Sequence, residues 1–303
     1  MKVLRFAIAD KIVSIKSRWN LNPRRARDFF SPGNKVFLYH GKQKNDIEID
    51  VDVVEKLPLM PKSKKLFAVH QVVCGKQEEN WGLFTDGEKY FYRSAERNCR
   101  QISVINKNFT KAKVYLFGEE RGETWDICGV THNFLEILLI SHLAKRSEGI
   151  FIHCAAIAQD KNSLNLFVGQ SGHGKSTMSR LWHRYAKSMV INDDRVAVRK
   201  INNRYVAYRI PWHGEFSRWN KRYPQSVPIK NIFFIEHAKA NKAVELSLEE
   251  SFKFLFPNIF ATFWDAQPLG KTLVFTQGLL KSVKCRRLPF VKNKTIISFV
   301  HAI

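Results

Sequence analysis

The feature that most constrains this chain is a glycine-rich segment directly after a short apolar run. Residues 164–168 read LNLFV and residues 169–177 read GQSGHGKST, which satisfies the pattern G-x-x-x-x-G-K-[ST]. In that pattern the glycines let the backbone turn its N–H groups towards an anion. Thr177–Tyr185 is compatible with a helix, so the segment predicts a strand, a phosphate-binding loop and a helix in succession.

The loop residues are the predicted phosphate-binding residues. We expect Lys175 to reach the β- and γ-phosphates and Ser176 to place its hydroxyl on Mg²⁺. His173 is expected to contribute its backbone N–H only. The alternative is a glycine-rich turn that binds no ligand. The full predicted set is Gly169, Gln170, Ser171, Gly172, His173, Gly174, Lys175, Ser176 and Thr177.

Two adjacent carboxylates follow the next predicted strand, Ser188–Ile191. Asp193 stands eighteen residues after Lys175 and is followed by Asp194. Ligands of open α/β sheets gather outside the carboxyl ends of the strands. One carboxylate is therefore expected to hold Mg²⁺ and the other to accept a proton from an attacking hydroxyl. The alternative is an Asp-Asp-Arg surface turn.

His153 lies in an apolar run, Ile150–Ala158, which is predicted to pair with Leu164–Val168 as a hairpin. A single histidine in an apolar strand is usually a core residue. If its ring faces the phosphate site, it can instead tune a neighbouring carboxylate or carry a proton.

The segments IHCAAI, LFVGQSGHGKST and INDDRV occur in this order. Together they resemble the C-terminal catalytic domain of the HPr kinase/phosphorylase family over about residues 150–215. The phosphate loop is also similar to that of phosphoenolpyruvate carboxykinases, which are much longer chains. The segment PWHGEF looks like the divergent kinase relatives found in peptide-modification gene clusters, so HPr itself is not the expected substrate.

The resemblance implies a function and a set of residue roles. Such kinases transfer the γ-phosphoryl group of ATP to a serine hydroxyl on a small protein or peptide, and some use pyrophosphate. By resemblance, Asp193 accepts the serine proton and His153 supports it. Ser176, Asp194 and Glu215 would hold Mg²⁺, and a homo-oligomer is implied by analogy only.

This chain departs from the bifunctional members of that family. They carry Glu directly after the phosphate-loop serine, where Thr177 stands here, and an Arg-rich signature near the C-terminus that we do not find. Both differences argue against the reverse reaction.

The chain is predicted to contain two domains of an α/β fold. Residues 1–130 are expected to form a β-rich domain, and residues 131–303 a kinase domain with a mixed sheet around the phosphate loop. Ile229–Glu236 indicates a buried strand. Predicted strands are Lys35–His40, Ile47–Val54, Leu66–Val73, Tyr90–Arg93, Gln101–Ile105, Ala112–Phe117 and Thr295–Val300; predicted helices are Asn133–Lys145 and Leu246–Leu255.

The composition limits the partners and the compartment. Fifty Lys and Arg residues against 27 Asp and Glu residues give a net charge of +23, which attracts anions such as nucleotides, acidic proteins or nucleic acid. The basic stretch Lys281–Lys294 either docks an acidic partner or is a solvated edge. Five scattered cysteines without CxxC spacing disfavour zinc and disulfides, and no 18-residue apolar run is present, so we expect a cytoplasmic protein without a membrane span.

These observations predict an ATP- and Mg²⁺-dependent kinase whose acceptor is a hydroxyl on a protein or peptide. An acidic acceptor would complement the positive net charge of the chain. A small-molecule kinase on the same scaffold is one alternative. A nucleotide-dependent switch or a nucleic-acid-binding NTPase, motivated by the charge, is the other.

Overall fold

The computed structural model describes residues 2–22, 37–73, 76–96, 100–118, 124–126, 128–214 and 224–303. It divides the chain into two compact units, Met1–His142 (unit 1) and Leu143–Ile303 (unit 2). This division falls within the helix that was expected at the start of the second domain. The sequence-based boundary at residue 130 stays a prediction.

Unit 1 is built around an eight-stranded mixed sheet. Its elements are β1 (Lys2–Ile8), β2 (Lys11–Ser17), β3 (Asn20–Asn22), β4 (Ile47–Val54), β5 (Lys64–Val73), β6 (Lys76–Thr85), β7 (Lys89–Ser94), β8 (Gln101–Asn106), β9 (Lys111–Phe117), β10 (Thr124–Asp126), α1 (Cys128–Thr131) and α2 (Asn133–Lys145), the last crossing into unit 2. The strand order is β1-β2-β4-β9-β8-β7-β6-β5, and β3 pairs separately with β10. The strands β2, β4 and β9 run parallel, and the other neighbours in the large sheet are antiparallel.

Strand β4 of the large sheet in unit 1 buries one of its faces. In β4 the sequence IEIDVDVV alternates, so Ile47, Ile49 and Val51 are buried while the acidic side chains between them point to the other face. This period of two is typical of a strand with one solvated face.

Unit 2 contains a second eight-stranded mixed sheet with helices on both faces. Its elements are β11 (Gly149–Ala158), β12 (Leu164–Val168), α3 (Lys175–Ala186), β13 (Met189–Asn192), β14 (Arg195–Ile201), β15 (Arg204–Tyr208), β16 (Ser226–His237), β17 (Val244–Glu245), α4 (Leu248–Leu255), α5 (Ala266–Ser282), β18 (Lys284–Phe290) and α6 (Thr295–His301). The strand order is β12-β11-β14-β15-β16-β18-β17, with β13 beside β11 and a further pairing of β12 with β16.

Three strands of unit 2 determine where a ligand site can form. The strands β12, β16 and β18 are parallel neighbours, so their carboxyl ends lie at one edge of the sheet. Val168, Phe234 and α4–α5 belong to the apolar layer on one face, whereas Phe167, α3 and α6 form the layer on the other. Burial on both faces directs polar groups to the strand ends.

The sequence predicted the α/β class, the mixed sheet and several elements correctly. The structure confirms Ile47–Val54 and Asn133–Lys145 with the same bounds, and the hairpin of β11 with β12. The predicted strand at Ile229–Glu236 lies within β16. The helix predicted at Leu246–Leu255 begins at Leu248, two residues later than predicted, after a capping box at Ser247.

The predicted strand Thr295–Val300 is wrong, because this segment is helix α6. Its β-branched residues favoured a strand, but Ile296, Ile297 and Val300 fall on one helical face and are buried in the layer that contains α3. Tertiary packing has overridden local propensity here.

The predicted strand Lys35–His40 is not present in its described part, residues 37–40, where Leu38 forms only an isolated bridge with Phe6. The basic stretch Lys281–Lys294 is not a single solvated edge. Its middle is strand β18 of the sheet, in which Arg286 is buried. Helix α5 was not predicted, and neither were β1, β2 and β6.

Cys154 and Cys285 are free and buried. The cysteines at positions 74 and 99 and the side chain at position 128 lie outside the described residues. No helix in the described part of the chain combines the length and apolar character of a membrane span.

Candidate functional site

The glycine-rich segment forms a tight loop between β12 and α3. Gly172 and Gly174 have φ values of +83° and +102°, a region that L-residues other than glycine rarely adopt. A Cβ atom on Gly174 would lie 2.5 Å from His237 Cε1, so the position also has no room for a side chain. Gly174 is the N-cap of the 12-residue helix α3, whose first N–H groups therefore face the loop.

Lys175 is the first residue of α3 and is buried. Its Nζ donates hydrogen bonds to Gly169 O at 2.7 Å and to Gln170 O at 3.1 Å, so the ammonium lies against the loop backbone. Burial lowers the pKa of Lys175, and the negative charge of Asp194 acts in the opposite direction. Asp194 lies in the turn between β13 and β14, so its charge comes from a different part of unit 2 than the loop.

The remaining predicted loop residues differ in exposure. Gln170 and Ser171 are exposed, and Ser176 and Thr177 are partly buried in the first turn of α3. The His173 ring has a structural contact that was not predicted, since its Nδ1 lies 3.2 Å from Ile235 O of β16.

Asn192, at the end of β13, orients the two carboxylates. Its Oδ1 accepts hydrogen bonds from the N–H groups of Asp193 at 2.8 Å and Asp194 at 3.2 Å. Its Nδ2 donates to Trp212 O at 2.8 Å. Because Asn192 is almost completely buried, this turn has a fixed shape and is not a loose surface turn.

Asp194 is held by two cationic or polar neighbours. Arg195 Nε donates to Asp194 Oδ2 at 2.5 Å, and His153 Nε2 lies 3.3 Å from Asp194 Oδ1. Burial by itself would raise the pKa of Asp194, but the contacts with His153 and Arg195 outweigh it and lower the pKa to about 2. The Phe260 ring packs on both partners, with its centroid 6.3 Å from that of His153 and 4.9 Å from Arg195 Cζ.

Asp193 has a different environment. It is 3% exposed, and its Oδ1 accepts a hydrogen bond from Gly214 N at 3.1 Å. The resemblance implied that His153 supports Asp193, whereas the contact in the structure is with Asp194. The register of β11 with β14 is the reason, because it places His153 opposite Arg195.

His237 is a residue near the loop that sequence reasoning did not identify. It ends β16, hydrogen bonds to the Gly172 backbone, and packs on Phe290 with ring centroids 5.1 Å apart. Burial and the nearby charges of Lys292 and His173 lower its pKa, partly offset by the Gly172 contact. A signal was available, since the apolar run IFFI is followed by two polar residues, Glu236 and His237, at a strand end.

A metal at this site would have few protein ligands. Within the described ranges, no group of three or more His, Cys, Asp or Glu side chains is close enough to hold an ion. Mg²⁺ ordinarily needs only one or two carboxylates beside water and phosphate oxygens, which Asp194 and the Ser176 hydroxyl could supply. The third predicted ligand, Glu215, lies outside the described residues.

No protein-family model matches this sequence, and no curated protein matches it either.

Proposed function

We propose that the chain is an ATP- and Mg²⁺-dependent kinase that transfers the γ-phosphoryl group to a serine hydroxyl of a protein or peptide. The observation that carries the proposal is the position of Lys175. Its ammonium is buried at the N-terminus of α3, against the glycine loop, and the negative charge of Asp194 acts to raise its pKa. A lysine, a loop of backbone amides and a carboxylate are the parts that phosphoryl transfer needs.

The donor would bind through its phosphates. Backbone N–H groups of the loop and the positive end of the α3 dipole favour an anion there, and Lys175 adds a full charge. We interpret this as the phosphate loop of an HPr kinase-like fold, the family that the sequence resembles. Pyrophosphate would offer the same groups to the loop, so it remains a candidate donor.

The two carboxylates would have separate roles, as adjacent acids in different environments commonly do. With a pKa of about 2, Asp194 is ionised at neutral pH and is a weak proton acceptor, which suits a metal ligand. His153 and Arg195 would be positioning residues for it. Bound Mg²⁺ would neutralise charge on the β- and γ-phosphates.

Asp193 would be the proton acceptor. In the proposed step, the serine oxygen forms a bond to the γ-phosphorus and the bond from that phosphorus to the bridging oxygen breaks. ADP leaves with the electron pair, and the serine proton passes to the Asp193 carboxylate. Because the rate then depends on a proton acceptor, Asp193→Asn is expected to bind ATP normally but to transfer phosphate about 10²- to 10⁴-fold more slowly.

The proposal is tested by incubating the purified chain with γ-labelled ATP, Mg²⁺ and a lysate of its own source, and separating proteins and peptides from small molecules. Lys175→Ala is the inactive variant, and Lys161→Ala, which changes an exposed lysine of the same unit, is the matched control. A labelled protein or peptide that appears with the unmodified chain and the control, and is absent with Lys175→Ala, supports the kinase.

The other outcomes identify the alternatives. Label in a small molecule alone would replace the protein kinase with a metabolite kinase. Label in inorganic phosphate alone, stimulated by nucleic acid, would favour the NTPase. Near-normal turnover by Asp193→Asn would show that Asp193 is not the proton acceptor.

A further inference from the structure

Two short loops at the carboxyl ends of parallel strands are rich in lysine. Residues 238–243 follow β16 and residues 291–294 follow β18. Four of these ten residues are lysine and none is acidic; the lysine cluster is Lys239, Lys242, Lys292 and Lys294. All four are exposed.

The lysine cluster is not balanced by carboxylates. None of its four ammonium groups has an ion-pair partner among the described residues, whereas Lys253, Arg286 and Arg287 of the same unit each pair with a glutamate. Four like charges without a counter-charge create a local positive potential that attracts anions. Such a potential would favour an anionic partner at these two loops.

The backbone that carries the cluster is held in one shape. Asn241 joins the two loops, because its Oδ1 accepts a hydrogen bond from Val291 N at 2.8 Å and its Nδ2 donates to Thr295 Oγ1 at 3.1 Å. Ala238 N and Lys242 N donate to backbone oxygens of β18 at 2.9 and 3.0 Å. The lysines therefore extend from a fixed platform, which lowers the entropy cost of binding.

The cluster lies beside the phosphate loop. His237, which immediately precedes residues 238–243, hydrogen bonds to Gly172 and packs against Gly174. Lys292 of the second loop is near enough to His237 for its charge to affect that ring. A segment bound across the cluster would therefore lie beside the site where the phosphates are proposed to bind.

We propose that the lysine cluster binds an acidic segment of the protein or peptide that this chain phosphorylates. This inference rests on the proposed kinase function, because it names the chemistry of the acceptor. Glutamate and aspartate near the acceptor hydroxyl complement the four lysines. The loops otherwise carry Ala, Asn and Val, so they lack the aromatic platforms on which single-stranded nucleic acids stack, which favours an acidic peptide over nucleic acid.

The test uses two serine peptides of equal length, one with five glutamates around the serine and one with five glutamines. Binding to the full chain is measured by fluorescence anisotropy at low ionic strength, and phosphorylation with labelled ATP. The variant is Lys239→Glu combined with Lys242→Glu. Its control is Lys281→Glu combined with Lys284→Glu, which changes the net charge equally at the other end of β18, on exposed lysines.

We expect the variant to weaken binding of the glutamate peptide about tenfold or more, and the control to weaken it less than about threefold. Binding of the glutamine peptide should be equal for all three proteins, and so should the KM for ATP. Equal loss in variant and control would mean that net charge alone attracts the peptide, and would overturn the inference. Tighter binding of a single-stranded oligonucleotide, lost in the variant alone, would replace the acidic peptide with nucleic acid.

The binding and transfer measurements separate this inference from the kinase proposal. Lysine-dependent binding without phosphate transfer to any peptide would refute the kinase function and with it the acceptor role of the cluster. Transfer that does not distinguish the two peptides would keep the kinase and refute the lysine cluster as its docking surface.

Discussion

The two units differ in where they hold their charged side chains. In unit 1 the charges pair across neighbouring strands of the sheet: Glu79 contacts Lys65 and Arg93, and Glu48 contacts Lys16. In unit 2 the sheet is covered on both faces. Lys175 at the start of α3 and Asp193 after β13 are buried, and Asp194 is partly buried. The side chains of Lys65 and Arg93 are about half exposed, so water screens their pairs with Glu79, whereas Lys175 and Asp193 are shielded from water.

The largest expected difference concerns a lysine from each unit. Lys175→Ala should reduce phosphoryl transfer about 10²- to 10³-fold or more, because in the proposed kinase it removes a positioned donor to the transferred phosphate. Lys65→Ala removes a partly exposed ion-pair partner of Glu79 and should leave the transfer rate unchanged. Both are measured as initial rates with labelled ATP, and comparable losses in the two variants would contradict the comparison.

Two glycines with similar φ angles allow the cost of backbone strain to be separated from the cost of steric crowding. Gly87 of unit 1 has φ +96° and no atom within 4 Å of a built Cβ, so Gly87→Ala should cost about 1 kcal/mol. Gly174→Ala adds the clash with His237 and Phe290 and should cost about 3 kcal/mol. The free energies of unfolding in urea measure both; an equal cost would show that His237 does not confine the loop.

The acidic group of unit 2 should make stability depend on pH. The folded-state pKa of Asp194 is about 2, below its ordinary value of 3.8, so its contribution is present above pH 4 and is lost as the pH falls towards 2. The shift corresponds to about 2 kcal/mol. The difference in unfolding free energy between the unmodified chain and Asp194→Asn should therefore shrink between pH 5 and pH 2.5. A difference that stays constant would show that His153 and Arg195 do not stabilise the ionised carboxylate.

The smallest effect is expected for the ion pairs of Glu79 in unit 1. Glu79→Gln weakens contacts with two partly exposed cations and should cost less than about 1 kcal/mol, because such pairs are solvated. The cost should fall further in 1 M salt, where the screening length is about 3 Å. A loss above that of Asp194→Asn at pH 7 would remove the distinction between the two sheets.

Much of the local structure was predictable because its cause is local. The alternation of β4, the buried helix α2 and the succession of strand, glycine loop and helix each follow from residues adjacent in the chain. Helix α6 was not predictable in this way, since its β-branched residues become helical only when Ile296 and Val300 pack in the layer with α3. The basic stretch was divided for the same reason: β18 is paired to β16 within the sheet, and only its ends remain exposed.

The amino-acid sequence by itself determined the candidate chemistry: a loop that only glycines permit, a lysine and a hydroxyl directly after it, and two carboxylates at the next strand end. Only the tertiary structure decided which groups meet. Because of the register of β11 with β14, His153 contacts Asp194 instead of Asp193. The parallel pairing of β12 with β16 places His237 against Gly174, although the two residues are sixty-three positions apart in the chain. Residue types follow from the chain, but contacts between distant residues follow from strand register, which depends on packing across the whole sheet.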